Sequence, residues 1–189
     1  MATTLILGGA RSGKSALAER LALASGRDIA VIVTATRHPG DAEMAARIAH
    51  HRARRPAGWT TVEAPLALAD AIRREATPGR LVLVDCLTVW LANLLFSDGA
   101  EHPETGVIAL PARLAVERDA LLAALAEVPG DVVLVANEVG LGIVPLGAIN
   151  RAFVDEAGRL NQAVAALCDN AAFVAAGLPL MLKGALPPA

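Results

Sequence analysis

Apolar residues in this chain come in two alternating rhythms. Short unbroken apolar runs stand at Thr3 to Leu7, Ile29 to Thr34, Leu81 to Asp85, Val132 to Ala136 and Ala171 to Ala175, with a briefer one at Leu180 to Leu182. Runs of that length without polar alternation are typical of strands covered on both faces. Between them, apolar residues recur three and four apart. Leu17 and Leu21 lead to a stop at Gly26, and further helices are predicted at Asp41 to Arg54, Leu66 to Ala76, Leu87 to Phe96, Ala112 to Glu127 and Asn150 to Cys168. In the last of these, Phe153, Ala157, Leu160, Val164 and Leu167 form one stripe along a helix. A short strand is expected at Thr60 to Glu63. Strand and helix in alternation predict an α/β fold, a mainly parallel sheet flanked by helices. Alanine supplies much of the apolar content, so the periodicity is weak and helix ends are blurred. Ser97 to Pro111, with its glycine, proline and acidic residues, is expected to be a mobile surface loop, and Pro187-Pro188-Ala189 a frayed end.

Composition narrows the class. Hydrophobic residues make up 54% of the 189 and charged residues 19%, which suits one domain with a sizeable core. No repeat or linker divides residues 1–189, so they are expected to form a single catalytic domain. The mean hydropathy of +0.49 raises the question of a membrane. The longest apolar stretch, Ala171 to Leu182, is too short to span one and contains Gly177 and Pro179. The first residues lack a basic start followed by a signal-type apolar region, and the expected location is the cytoplasm. A net charge of −2 gives no basic field for nucleic acid. Cys86 and Cys168 lie in apolar segments without metal-ligand spacing and are expected to be reduced core residues.

The first strand runs straight into Gly8-Gly9-Ala10-Arg11-Ser12-Gly13-Lys14-Ser15, which fits the phosphate-loop pattern G-x-x-x-x-G-K-[ST], and a helix follows. The glycines let successive backbone N–H groups converge on phosphates, and the helix N-terminus adds partial positive charge. Lys14 would reach the outer phosphates, and the Ser15 hydroxyl would ligate Mg²⁺. Lys14 and Lys183 are the only lysines among seventeen basic residues. A compact ammonium thus stands where a forked guanidinium would serve poorly. A glycine turn that merely caps a helix is the plain alternative. Such a loop needs a partner carboxylate for the metal, and Asp85 closes an apolar strand as that role requires. Glu138, after the run Val132 to Ala136, is a rival, and spacing alone does not choose between them.

A second constellation lies at Glu43 to Arg54, after Asp41 as a helix N-cap. On a helix, Arg47, His50, His51 and Arg54 fall on one face. One reading is a solvated polar flank with Met44 and Ile48 buried behind it. The other is that an imidazole, partly neutral near pH 7, attacks phosphorus while the arginines neutralise phosphate charge. A metal site is the weaker idea, because adjacent histidines point about 100° apart on a helix and no third ligand is suitably spaced.

Four segments together carry a resemblance: the phosphate loop, Asp41 to Ile48 running into His50-His51, Arg55-Pro56 before Trp59, and Asn137-Glu138-Val139-Gly140-Leu141-Gly142-Ile143-Val144-Pro145. Over nearly its whole length the chain resembles the bifunctional adenosylcobinamide kinase / adenosylcobinamide-phosphate guanylyltransferase family of cobalamin biosynthesis. The resemblance implies a RecA-like P-loop fold and two reactions. ATP or GTP phosphorylates adenosylcobinamide, and GTP then donates GMP through a guanylyl-histidine to give adenosylcobinamide-GDP. By position, His50 matches the guanylylated histidine. Gly8 to Ser15, Thr34-Ala35-Thr36, His51-Arg52-Ala53-Arg54, Glu63 and Asp85 match nucleotide-contacting positions, with Ser15 and Asp85 at the Mg²⁺. Some relatives carry glutamate where this chain has Asp85, one methylene longer. The family also implies a homo-oligomer, a trimer.

Three rivals are set against this reading. A GTPase switch would need an Asn-Lys-x-Asp element, and the only other lysine is Lys183. A DNA-dependent ATPase would need a basic, aromatic surface, yet only 3% of residues are aromatic and none is tyrosine. A plain small-molecule kinase would use the same loop and Asp85 without His50.

Overall fold

A computed structural model describes residues 2–35, 56–96, 99 and 102–186. The helix expected at Asp41 to Arg54 lies outside the described residues. The elements in chain order are β1 (Thr3–Gly8), α1 (Lys14–Ala24), β2 (Asp28–Val33), β3 (Thr60–Glu63), α2 (Leu68–Glu75), β4 (Arg80–Asp85), α3 (Leu87–Leu95), α4 (Ala112–Glu127), β5 (Asp131–Asn137), α5 (Ala148–Leu167), β6 (Asn170–Ala175) and β7 (Leu178–Lys183). They build one seven-stranded sheet in the order β3-β2-β4-β5-β1-β6-β7. All pairings are parallel except that of β7 with β6.

The unbroken apolar runs are explained by cover on both faces. Leu5, Leu7, Ile32, Val82, Val84, Val132 and Leu134 point into a core shared with α2, α3, α4 and α5. Their chain neighbours Ile6, Val31, Leu81, Leu83, Val133 and Val135 point the other way, against Leu17, Leu21 and Ala22 of α1. Period-two alternation therefore sends every second residue to a different core, and neither half is left polar. Each large apolar side chain buried this way contributes ~1.5–3 kcal/mol. Trp90 of α3 is wholly enclosed, and its indole N–H donates to the Leu66 carbonyl at 2.7 Å. β3, at the far edge, is short and largely exposed, as an edge strand that avoids further pairing should be.

Most element ends fall within two residues of expectation. Helix α5 starts at Ala148 rather than Asn150, because Gly147, at φ 86°, turns the chain into the helix just before it. β7 is twice as long as the apolar run at Leu180 to Leu182 suggested. A tight turn at Ala176-Gly177, with φ 51° and 80°, folds it back on β6. Pro179 is tolerated there because β7 is an edge strand. In the segment expected to be a mobile loop, the Pro103 carbonyl accepts from Ala148 N at 3.3 Å and the Glu104 carbonyl from Arg151 Nη2 at 3.4 Å. Both cysteines are buried and free, as expected.

Topology places the site. From β1 the chain crosses one face of the sheet through α1 to reach β2. From β5, the neighbour of β1, it crosses the opposite face through α5 to reach β6. The two connections diverge and leave a crevice at the carboxyl ends of β1 and β5, the position where open parallel sheets bind ligands.

Candidate active site

The phosphate loop sits at that crevice. Its shape is set by backbone positions that tolerate no other residue. A Cβ on Gly8 would lie 2.5 Å from the Val174 carbonyl oxygen and 2.6 Å from Ser12 Oγ. Gly13 has φ 99°, and a Cβ there would approach Gly177 Cα to 3.0 Å. The loop closes on itself through Ser12 N to the Gly9 carbonyl at 3.2 Å. From outside it is braced by Gly177 N, which donates to the Ser12 carbonyl at 2.8 Å. The β6–β7 turn is thus the loop's buttress, a role that two turn residues in a chain of sixteen glycines did not advertise.

Helix α1 begins at Lys14 with no side-chain cap and no acidic residue in its first turn. Its leading N–H groups and positive dipole end are therefore left for an anion. Lys14 is buried, and its ammonium donates to the Gly9 carbonyl at 3.0 Å, which arches it over the loop. Ser12 Oγ is enclosed without a hydrogen-bond partner among the described residues. A buried hydroxyl left in that state inside a ring of N–H donors suits a bound phosphate oxygen.

Asp85 closes β4, two strands from β1 with β5 between them, a backbone separation of ~10 Å. Electrostatics links it to the loop. Burial lowers the pKa of the Lys14 ammonium, opposed by the negative charge of Asp85. Cys86, read from sequence as a core thiol, is pushed up to about 11, first by burial and then by the Asp85 charge, and so stays protonated and inert. The peptide between Asp85 and Cys86 is cis.

Thr34, expected to contact nucleotide, is entirely buried, and every polar group it has is engaged. Its hydroxyl donates to the Cys86 carbonyl at 2.8 Å and accepts from Cys86 N at 3.1 Å. Its N–H meets the Asp85 carbonyl at 3.4 Å, and its carbonyl accepts from Asn93 Nδ2 at 2.7 Å. Asn93 donates as well to the Pro65 carbonyl at 3.0 Å. Thr34 therefore clamps the turn that carries Asp85, with Asn93 holding the clamp from α3. Thr88, also on α3, accepts from Asn137 N at 2.6 Å and fixes the end of β5. Thr88 and Asn93 were missed as contributors, although two polar residues in the apolar run Leu87 to Leu95 were a legible signal that buried partners awaited them.

Glu138 follows β5, one strand from the loop. Its N–H donates to the Gly8 carbonyl at 3.0 Å, and its Oε1 accepts from Gly140 N at 2.6 Å. Glu63, at the carboxyl end of β3, is exposed and four strands from β1, a separation of ~19 Å. The fold therefore brings together Gly8 to Ser15, Lys14, Asp85 and the Thr34 clamp, with half-buried Ala35 beside it, and leaves Glu63 at the far edge. Thr36, His50, His51, Arg52, Ala53 and Arg54 lie outside the described residues.

Among the described residues no group of three or more His, Cys, Asp or Glu could cage a metal. Hard oxygens do stand near the loop, from Ser15, Asp85 and Glu138. One hydroxyl and one or two carboxylates, with phosphate oxygens and water completing the shell, is a donor set that fits Mg²⁺.

These features define a RecA-like P-loop nucleotide-binding fold. A prototypical ATPase from the type III secretion system of pathogenic bacteria shares it, with a TM-score of 0.56 at 13% identity, over 95% of this chain and 56% of that one. At that identity the likeness is one of fold. Residues 4–182 match the family described as cobinamide kinase / cobinamide phosphate guanyltransferase. The chain is 58% identical over 180 residues to the bifunctional adenosylcobalamin biosynthesis protein CobP of Pseudomonas aeruginosa, covering 95% of this chain and 96% of that one. It is 42% identical over 181 residues to the bifunctional adenosylcobalamin biosynthesis protein CobU of Escherichia coli, covering 95% and 98%. The CobU protein of Salmonella typhimurium gives the same identity and coverage. The chain belongs to this kinase and guanylyltransferase family.

Proposed function

We propose that this protein carries out two successive phosphorus transfers at the crevice: phosphorylation of adenosylcobinamide by ATP or GTP, then transfer of GMP from GTP to the product. The observation that carries this reading is the phosphate loop at the crevice, with Lys14 buried and arched over it.

In the first step an acceptor hydroxyl oxygen attacks the γ-phosphorus and the nucleoside diphosphate leaves. Lys14, the loop N–H groups and the start of α1 offset the charge on the transferred group, and such preorganised electrostatics is usually the largest catalytic contribution. When bound, Mg²⁺ would neutralise phosphate charge further; Ser15 and Asp85 would hold it. Asp85 is preferred over Glu138 because it closes the apolar strand β4, the position from which a metal-holding carboxylate of a phosphate-loop protein usually comes.

In the second step an imidazole nitrogen of His50 attacks the α-phosphorus of GTP and pyrophosphate leaves. The phosphate made in the first step then displaces the imidazole, giving adenosylcobinamide-GDP. Splitting one displacement into two avoids a three-body encounter, and protonation makes imidazole a good leaving group. Thr36, His51, Arg52, Ala53 and Arg54 serve the bound nucleotide in this reading. No helix among the described residues is long and apolar enough to cross a membrane, and the reactions are assigned to the cytoplasm. A homo-oligomer, by resemblance a trimer, accords with the exposed Leu178, Leu180 and Leu182 on edge strand β7.

The test is intact-protein mass spectrometry after incubation with GTP and Mg²⁺, for the wild type and His50→Ala, before and after brief acid treatment. The wild type alone is expected to gain one acid-labile GMP, while His50→Ala keeps kinase activity. GTP binding with no mass gain in either protein would reduce the function to a P-loop kinase.

A further inference from the structure

We propose that the segment from Val139 to Leu146, the loop that leaves β5, is the seat of the corrin macrocycle of the acceptor; this rests on the function proposed above. The loop is rooted at the catalytic crevice. Glu138 N is bound to the Gly8 carbonyl at 3.0 Å, so the chain departs one strand from the phosphate loop. Gly140 N on Glu138 Oε1 at 2.6 Å fixes the first turn, and Asn150 Nδ2 on the Leu146 carbonyl at 2.9 Å fixes the last.

Between those anchors the side chains face outward. Leu141, Ile143, Val144 and Leu146 are 81%, 98%, 73% and 91% exposed. Single exposed apolar residues need no explanation, but four within six positions beside a catalytic crevice mark a binding surface. From Val139 to Asn150 the chain carries no charged residue. A phosphate or a polynucleotide would find nothing there to pair with, whereas the ring carbons and methyl groups of a broad macrocycle would. A second wall comes from the preceding loop, whose Pro103 and Glu104 carbonyls are tied to Ala148 and Arg151 at the start of α5. That loop presents exposed Val107 and Leu110. The ring would lie on these apolar side chains and leave its hydroxyl-bearing arm to enter the crevice, while the nucleotide occupies the phosphate loop.

The test is the double variant Ile143→Ser with Leu146→Ser, which changes only exposed side chains. Steady-state kinase assays with adenosylcobinamide at saturating GTP are run beside self-guanylylation by GTP alone and sedimentation velocity. The KM for adenosylcobinamide is expected to rise at least about tenfold, the scale of lost apolar contacts in a substrate site. Turnover, guanylylation and sedimentation should stay at wild-type values. An unchanged KM overturns the assignment, and so does a variant that dissociates into smaller species, since the loop is then a subunit contact. Wild-type protein that guanylylates itself yet never turns over adenosylcobinamide would instead refute the substrate of the proposed function.

Discussion

Thr34→Val removes one buried hydroxyl at nearly constant volume and so isolates the clamp on the Asp85 turn. Its cost follows from the partners that hydroxyl leaves. The Cys86 carbonyl also accepts from Trp90 N at 3.2 Å and stays satisfied. Cys86 N, whose acceptor is Thr34 Oγ1 at 3.1 Å, is left buried and unpaired. An orphaned buried N–H costs ~1–3 kcal/mol, and the added methyl returns up to ~0.8 kcal/mol. The variant should therefore be destabilised by ~0.2–3 kcal/mol, a fall in Tm of up to about 10 °C for a chain of this size. Thr34→Ser keeps the hydroxyl and loses a methyl, at a cost of ~1 kcal/mol. In urea or thermal unfolding both variants should fall below the wild type, the valine variant although it fills the site better than serine. Kinase turnover should fall in the valine variant and survive in the serine variant, because only the former releases the turn that carries Asp85. A Thr34→Val protein that melts at or above the wild type, with serine the weaker of the two, would refute the clamp and make the site a matter of packing.

Two further outcomes are expected. Lys14→Ala removes the ammonium arched over the loop and should weaken nucleoside triphosphate binding by ~10- to 150-fold, the worth of a charge-assisted hydrogen bond; titration calorimetry with unchanged affinity would contradict the loop's role. Asp169 Oδ2 accepts from Thr3 N at 2.8 Å and Thr3 Oγ1 at 3.0 Å, and those bonds, the backbone one first, hold its carboxyl below the ordinary 3.8. A depressed folded-state pKa gives stability that is present above the ordinary value and lost as pH falls through the depressed one. Asp169→Ala should therefore be less stable than the wild type at pH 7 by no more than ~1 kcal/mol, because the pair is solvent-facing. Urea unfolding should bring the two proteins together in strong acid, and a gap that persists or widens there would disprove the linkage.

The order of apolar runs and helical stretches determined the α/β class, because a strand buried on both faces has no polar positions to spare and declares itself in the sequence. The phosphate loop was legible for the same local reason: its chemistry is backbone geometry, and backbone geometry is written in where glycine stands. Helix ends were less legible, since an alanine-rich helix has little periodicity, and Gly147 rather than any apolar stripe sets where α5 begins. Pairing across the sheet was decided only in three dimensions. Nothing near Gly13 announces that Gly177 braces it from more than 160 residues away, or that Thr34, Asn93 and Cys86 form one hydrogen-bonded clamp. Spacing left open how Asp85 and Glu138 stand to the loop; strand order sets Glu138 one strand from β1 and Asp85 two, with β5 between β4 and β1. Local backbone demands are written in neighbouring residues. Contacts between distant strands exist only once burial of the two apolar faces has fixed the order of the sheet.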